Sequence, residues 1–157
     1  LFRSPAEVSE DVAKEAHELA LRLAQGFELA GILAIELFVT KDERVIVNEL
    51  APRPHNSGHY TIEACSFDQF DAHIRGIAGW PLEQPELLKP AVMVNVLGQH
   101  VAPTRALIAE HPEWNMHDYC KAEVRHDRKM GHITVLTDDT RQTVADLERT
   151  GCWDDLK

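Results

Sequence analysis

VIVNELAPRPHNSGHY, residues 45–60, decides how this chain is read. An apolar, strand-like run delivers a carboxylate, Glu49, and passes without a break into Arg53, His55, Asn56 and His59. Polar groups this dense inside apolar sequence cost free energy when buried unless each finds a partner, so a metal ion, an anionic ligand or both are expected here. Upstream, GILAIELFV (31–39) is short and apolar, and RVIVNEL (44–50) mirrors it across a polar turn; the two read as a β-hairpin. A four-residue turn over 41–44 would pair Thr40 with Val45 and set Glu36 opposite Glu49. Residues opposed in an antiparallel pair share a face with Cβ atoms roughly 5 Å apart, where like charges repel. A divalent cation reverses the sign of that interaction, and two carboxylates beside the Asn48 amide are hard oxygen ligands suited to Mg²⁺. The competing reading is a face simply open to water, as antiparallel sheets often have. Ala34, Phe38, Val45 and Val47 share the face in this register and argue that it is covered.

Away from this stretch the pattern is mixed helix and strand. Ser9 with Glu10 and Asp11 reads as a helix start, and Val12, Ala16, Leu19 and Leu23 recur at helical spacing up to Gly26. Residues 61–78 are expected to form one helix whose apolar stripe of Phe67, Phe70, Ile74 and Ile77 packs into a core. GWPLEQPELLKP (79–90) has no periodicity and reads as a linker. Beyond it come an expected strand at 91–98, a short helix at 104–110, a strand at 132–137 and a closing helix at 140–149. The fold class is α+β. Residues 1–89 form one region with an antiparallel sheet and helices, and residues 90–157 a small β-rich carboxy-terminal domain.

Composition narrows the function. Among 157 residues, 44% are hydrophobic, enough for a sizeable core. Asp and Glu number 26 against 16 Lys and Arg, so a general nucleic-acid surface is disfavoured. Cys65, Cys120 and Cys152 are far apart and form no CxxC pair, which argues against a disulfide framework or a thiolate zinc site and fits a reducing cytoplasm. No run approaches the roughly 20 apolar residues of a membrane span. Leu1 stands where an initiator Met would, and a longer parent chain is expected.

The loop after Glu49 carries a resemblance. Pro52 and Pro54 stiffen it and Gly58 permits a sharp turn. GILAIELFV, NELAPRPHNSGH, KPAVMVNVLG and KAEVRHDRKMGH together resemble the carboxy-terminal half of the 5-(carboxyamino)imidazole ribonucleotide synthases, the ATP-grasp ATPases of purine biosynthesis. The resemblance implies a carbon–nitrogen ligase that uses ATP and Mg²⁺ to activate bicarbonate as carboxyphosphate, then carboxylates aminoimidazole ribonucleotide. It implies Glu36 and Glu49 as metal ligands, Asn48 and Glu49 as the nucleotide-contacting pair, and Arg53, His55 and Asn56 at the reacting centre. Ala51 occupies the place where many other ATP-grasp proteins carry a third metal ligand, a departure that this family shares. The phosphate-holding lysines and glycine-rich loop of the family's amino-terminal portion have no match here. This stretch is therefore expected to need that portion as a partner, and the resemblance also implies a homodimer.

Lys121, Arg125, Arg128 and Lys129 cluster in an acidic chain. They read either as a phosphate clamp or as a solvated basic turn. The resemblance implies that Lys121 and Arg128 hold the ribonucleotide 5′-phosphate, with Lys121 also counted among the catalytic residues. His55 and His59, four apart, invite a zinc reading, but no HExxH helix or third ligand accompanies them. His17, His73, His100, His111 and His117 read as surface or structural residues, and Cys65 as a buried, inert thiol. Two alternatives stay open: a noncatalytic binding or assembly piece, and a related ATP-grasp enzyme acting on another ribonucleotide.

Overall fold

The computed structural model describes residues 1–154. In chain order the elements are β1 (Phe2–Ser4), α1 (Glu10–Gly26), β2 (Ala34–Val39), β3 (Val45–Ala51), α2 (Thr61–Ala64), α3 (Gln69–Ala78), β4 (Ala91–Leu97), α4 (Val101–Leu107), β5 (Asn115–Asp118), β6 (Lys129–Leu136) and α5 (Thr140–Arg149). They group into two compact units: Ala6–Ile62 with Ser66–Glu86, and Leu1–Pro5 with Glu63–Cys65 and the chain from Leu87 onward. A cut at 89/90 therefore differs from the contacts. β1 pairs antiparallel with β4, and Leu88 N–H donates to Ala64 O at 2.7 Å, which draws both short segments into the later unit. Residues 155–157 of the expected carboxy-terminal domain lie outside the described residues.

In the hairpin unit, α1 starts where Ser9 Oγ accepts from Val12 N–H at 3.4 Å, with Glu10 and Asp11 in its first turn. Val12 is buried beneath it, while Leu19 and Leu23 are half-buried. β2 and β3 form an antiparallel two-stranded sheet. The expected single helix over 61–78 is broken. Asp68 caps a new start, its Oδ1 accepting from Phe70 and Asp71 N–H at 2.7 and 2.9 Å, and α3 ends at Gly79 in the left-handed conformation. Phe67 precedes α3, and Phe70, Ile74 and Ile77 are exposed, so the stripe expected to fill a core does not do so within this unit.

The sheet unit carries a four-stranded antiparallel sheet in the order β1-β4-β6-β5. β4 reads AVMVNVL and is buried along most of its length, as a near-continuous apolar strand should be. Val92, Val94, Val96, Ile133 and Val135 pack with Trp114, Leu147, Cys152 and Trp153 in one core, joined by partly buried Leu107, Met116 and Val144. The Trp153 indole N–H finds Asn95 O at 2.9 Å, which satisfies the polar end of a buried ring. α5 starts where Asp139 Oδ1 accepts from Gln142 N–H at 2.9 Å. The helix expected at 104–110 begins earlier, at Val101, and closes in a 3₁₀ turn. Among the described residues no helix is long and apolar enough to cross a membrane.

Candidate functional site

Glu36 and Glu49 face each other across β2 and β3, although the turn that brings them there differs from the expected one. Thr40 N–H donates to Arg44 O at 3.0 Å and Arg44 N–H to Thr40 Oγ1 at 3.0 Å, closing the hairpin over 41–43 with Glu43 in the left-handed conformation at φ +59. The shorter turn shifts the outer register by one residue. Leu37 pairs with Val47 and Val39 with Val45, whereas Glu36 still pairs with Glu49, so Asn48 is the extra residue of a β-bulge. Adjacent residues of a regular strand point to opposite faces. The bulge relaxes that alternation, and Asn48 Nδ2–H donates to Glu36 Oε2 at 3.2 Å beside Glu49. Beyond the bulge Ile46, not Val45 or Val47, lies opposite Phe38. The face is also open: Phe38 is 59% exposed, and Asn48 and Glu49 are exposed. The register slip turns Val45 and Val47 away and puts Ile46 in their place, and with Phe38 and Ile46 both exposed the expected apolar cover is absent from this unit.

The loop after β3 supplies the second part of the site. His55 Nε2 lies 3.7 Å from Glu36 Oε1, and its Nδ1 lies 2.9 Å from Ser57 Oγ and accepts from Ser57 N–H at 3.4 Å. Asn56 opens a 3₁₀ turn over Asn56–Gly58. Arg53 is exposed, its guanidinium donating to Pro54 O at 3.1 Å. Glu36, Glu49, Asn48 and His55 thus form one constellation with Arg53 and Asn56 on the loop that carries His55. Among the described residues no cluster of three or more His, Cys, Asp or Glu could hold a metal, so a cation here would take two carboxylates and complete its shell from elsewhere.

Lys121 and Arg128 belong to the sheet unit, on the loop joining β5 to β6. Lys121 Nζ donates to Lys129 O at 2.6 Å and sits 5.5 Å over the Tyr119 ring. Arg128 donates to Glu123 O at 3.1 Å, whereas Arg125 pairs with the Glu123 carboxylate. The two residues singled out from sequence are therefore held by carbonyl oxygens. Gly98 makes the loop's seat: a Cβ there would lie 1.9 Å from Arg125 O, so only glycine lets β4 and the loop backbone approach this closely. Cys120 and Asp127 bend the loop at φ +52 and +58.

Two family models match this chain: an ATP-grasp domain over residues 1–70 and a phosphoribosylaminoimidazole carboxylase C-terminal domain over residues 91–146. The N5-carboxyaminoimidazole ribonucleotide synthase of Staphylococcus aureus (strain COL) is 45% identical over 148 residues, which make up 94% of this chain and 40% of that protein. Along nearly all of its length the chain is similar to N5-carboxyaminoimidazole ribonucleotide synthases. An ADP complex of one N5-carboxyaminoimidazole ribonucleotide synthetase superposes with a TM-score of 0.94 at 42% identity, over 98% of this chain and 41% of that one. The Aspergillus clavatus N5-carboxyaminoimidazole synthase, solved with ADP and 5-aminoimidazole ribonucleotide, superposes at 0.85 with 33% identity, over 94% of this chain and 42% of that one. This chain spans about two fifths of the length of the curated relatives it matches.

Several polar residues escaped the sequence reading. Gln69 is 6% exposed and bonds His55 and His59, yet it lies in a segment whose periodicity suggested only core packing. His117 is not isolated: its Nε2 lies 2.5 Å from Glu63 Oε1 and its ring stacks on His132 at 4.5 Å, while His132 Nδ1 meets Tyr119 OH at 2.9 Å. The short strand 115–118, NMHD, has no apolar pattern to mark it, and that hid the cluster. His73 and His100 are structural, with Nδ1 accepting from Ile32 N–H at 3.1 Å and Leu97 N–H at 3.2 Å respectively. Cys65 is half-buried rather than buried, and that burial pushes its thiol pKa up, away from the reactive thiolate.

Proposed function

We propose that this chain forms the carboxy-terminal part of the active site of an ATP-dependent ligase that converts aminoimidazole ribonucleotide and bicarbonate to 5-(carboxyamino)imidazole ribonucleotide. The observation that carries it is the opposed Glu36–Glu49 pair with Asn48 bulged beside it and His55 at its edge. Two facing carboxylates with few protein ligands around them suit Mg²⁺, which keeps waters and substrate phosphates in its shell. Mg²⁺ with ATP supplies the electrophilic phosphoryl group that activates bicarbonate as carboxyphosphate. Glu36 and Glu49 hold the metal, and Asn48 fixes the Glu36 carboxylate by donating to it. Arg53, His55 and Asn56 place a cation, an N–H donor and an amide where charge builds on the transferring group. Lys121 and Arg128 bind the ribonucleotide 5′-phosphate as charge-assisted donors, and Lys121 is assigned a catalytic part as well. The remainder of the family's length supplies the rest of the nucleotide site, the enzyme is a cytoplasmic homodimer, and this stretch alone does not turn over.

Reconstitution tests this reading. The chain is combined or fused with the remaining family-length portion, and ADP release is followed with and without aminoimidazole ribonucleotide and bicarbonate. Release that depends on both supports the assignment. Preference for glycinamide ribonucleotide would move the chain to a neighbouring reaction, and silence from a well-folded mixture would favour a noncatalytic assembly role.

A further inference from the structure

Gln69 makes a denser set of contacts than packing requires. Its Oε1 accepts from His55 N–H at 2.8 Å, and its Nε2 donates to His55 O at 2.9 Å, so one side-chain amide grips both polar groups of one backbone residue. The same Nε2 meets His59 Nδ1 at 2.8 Å. Its backbone N–H donates to Thr61 Oγ1 at 3.0 Å, and Thr61 in turn donates to Gly58 O at 2.6 Å. The segment 55–61 is thus tied to the first residue of α3 by four hydrogen bonds at three residues, His55, His59 and Thr61. Gly58 lies against the grip: a Cβ there would come 2.5 Å from Gln69 Oε1, and a side chain 6% exposed with its bonds made has nowhere to retreat.

The donor and acceptor roles follow from these bonds. An amide oxygen only accepts and an amide N–H₂ only donates, so the His55 N–H bond fixes which end of Gln69 faces which group. His59 Nδ1 must then be the acceptor, and neutral His59 carries its proton on Nε2. His55 Nδ1 accepts from Ser57 N–H in the same way, which directs its Nε2–H toward Glu36.

We propose that Gln69 is a positioning residue for the carboxylation site: by clamping the His55 backbone and setting the His59 tautomer, it holds the His55–Asn56 corner in register with the acid pair. The proposal rests on the functional reading above. Its test uses the reconstituted enzyme with ¹⁵N-labelled histidine, in wild type, Gln69→Glu, Gln69→Leu and Gly58→Ala forms, checked for native secondary structure by circular dichroism. Gln69→Glu keeps the acceptor for His55 N–H and replaces the amide NH₂, the source of both donated bonds, by a single oxygen, so the His59 ring spectrum is expected to change to the Nδ1–H tautomer. Gln69→Leu and Gly58→Ala are expected to lower kcat about a hundredfold, the scale of an ångström-level misplacement, with KM for ATP little changed. An unchanged His59 spectrum in Gln69→Glu overturns the clamp. An active wild type whose folded Gln69→Leu form keeps its kcat overturns the positioning role alone. An inactive wild type with the expected His59 spectrum instead overturns the functional reading, and the positioning role falls with it while the clamp stands.

Discussion

The sheet unit and the hairpin unit solve different problems with similar amounts of chain. In the former, β4 and β6 bury valines and isoleucine against two tryptophans, and the apolar core is closed within the unit. In the latter, Phe38, Val39, Ile46, Ile74 and Ile77 are each 46% exposed or more, and a two-stranded sheet is marginal on its own. The stable architecture sits in one place and the acid pair in the other. Stability and chemistry should therefore respond to different substitutions.

The largest effect should come from the acid pair: Glu36→Gln or Glu49→Gln is expected to reduce kcat/KM of the reconstituted ligase about a thousandfold while leaving the urea midpoint unchanged. A parallel fall in stability would erase the division between units. Next, Ile133→Ala should cost about 3 kcal/mol of unfolding free energy through the cavity left in the sheet core, measured by denaturant titration of this chain. Lys121→Met should then raise KM for the ribonucleotide about tenfold, the scale of one charge-assisted hydrogen bond, with KM for ATP unaltered.

A smaller effect is expected at Asp118. The Cys120 N–H, followed by the Arg105 guanidinium, holds its carboxyl below the ordinary carboxylate range. A depressed folded pKa stabilises above the unfolded value of about 3.9 and is lost as pH falls through the folded one, so the acid limb alone should respond. Asp118→Asn is expected to flatten that limb in a pH series of denaturant midpoints, with a modest change at neutral pH because the ion pair is partly exposed. Phe38→Ser should be the weakest, within about 0.5 kcal/mol, because the side chain is already in water. A loss as large as that of Ile133→Ala would show that the hairpin carries its own core after all.

Much of this was legible in the sequence, for reasons that differ by residue. Two short apolar runs mirrored across a polar turn located β2 and β3, and the opposed glutamates followed from the register that such a turn sets. The turn itself was misjudged, since nothing in KDER announces that Glu43 takes a left-handed conformation or that Asn48 leaves the ladder. Ser9 signalled its helix, but Asp68 was missed because the apolar spacing on either side of it mimics one continuous helix. β1 and β5 are short and polar and acquire strand form only by pairing with β4 and β6. Gln69 had no signal at all: one amide among apolar residues looks incidental until its partners, distant in sequence, are in place.

The unpaired residue at position 48 gives the hairpin a joint. Inward of it, Glu36 and Glu49 keep their phase with the rest of the strand; outward of it, the ladder runs in another phase set by the tip alone. Changes in the length or composition of residues 40–44 can be absorbed there without rotating the carboxylates. The carboxylate end of this ribbon is in that sense insulated from the wear of its most exposed end.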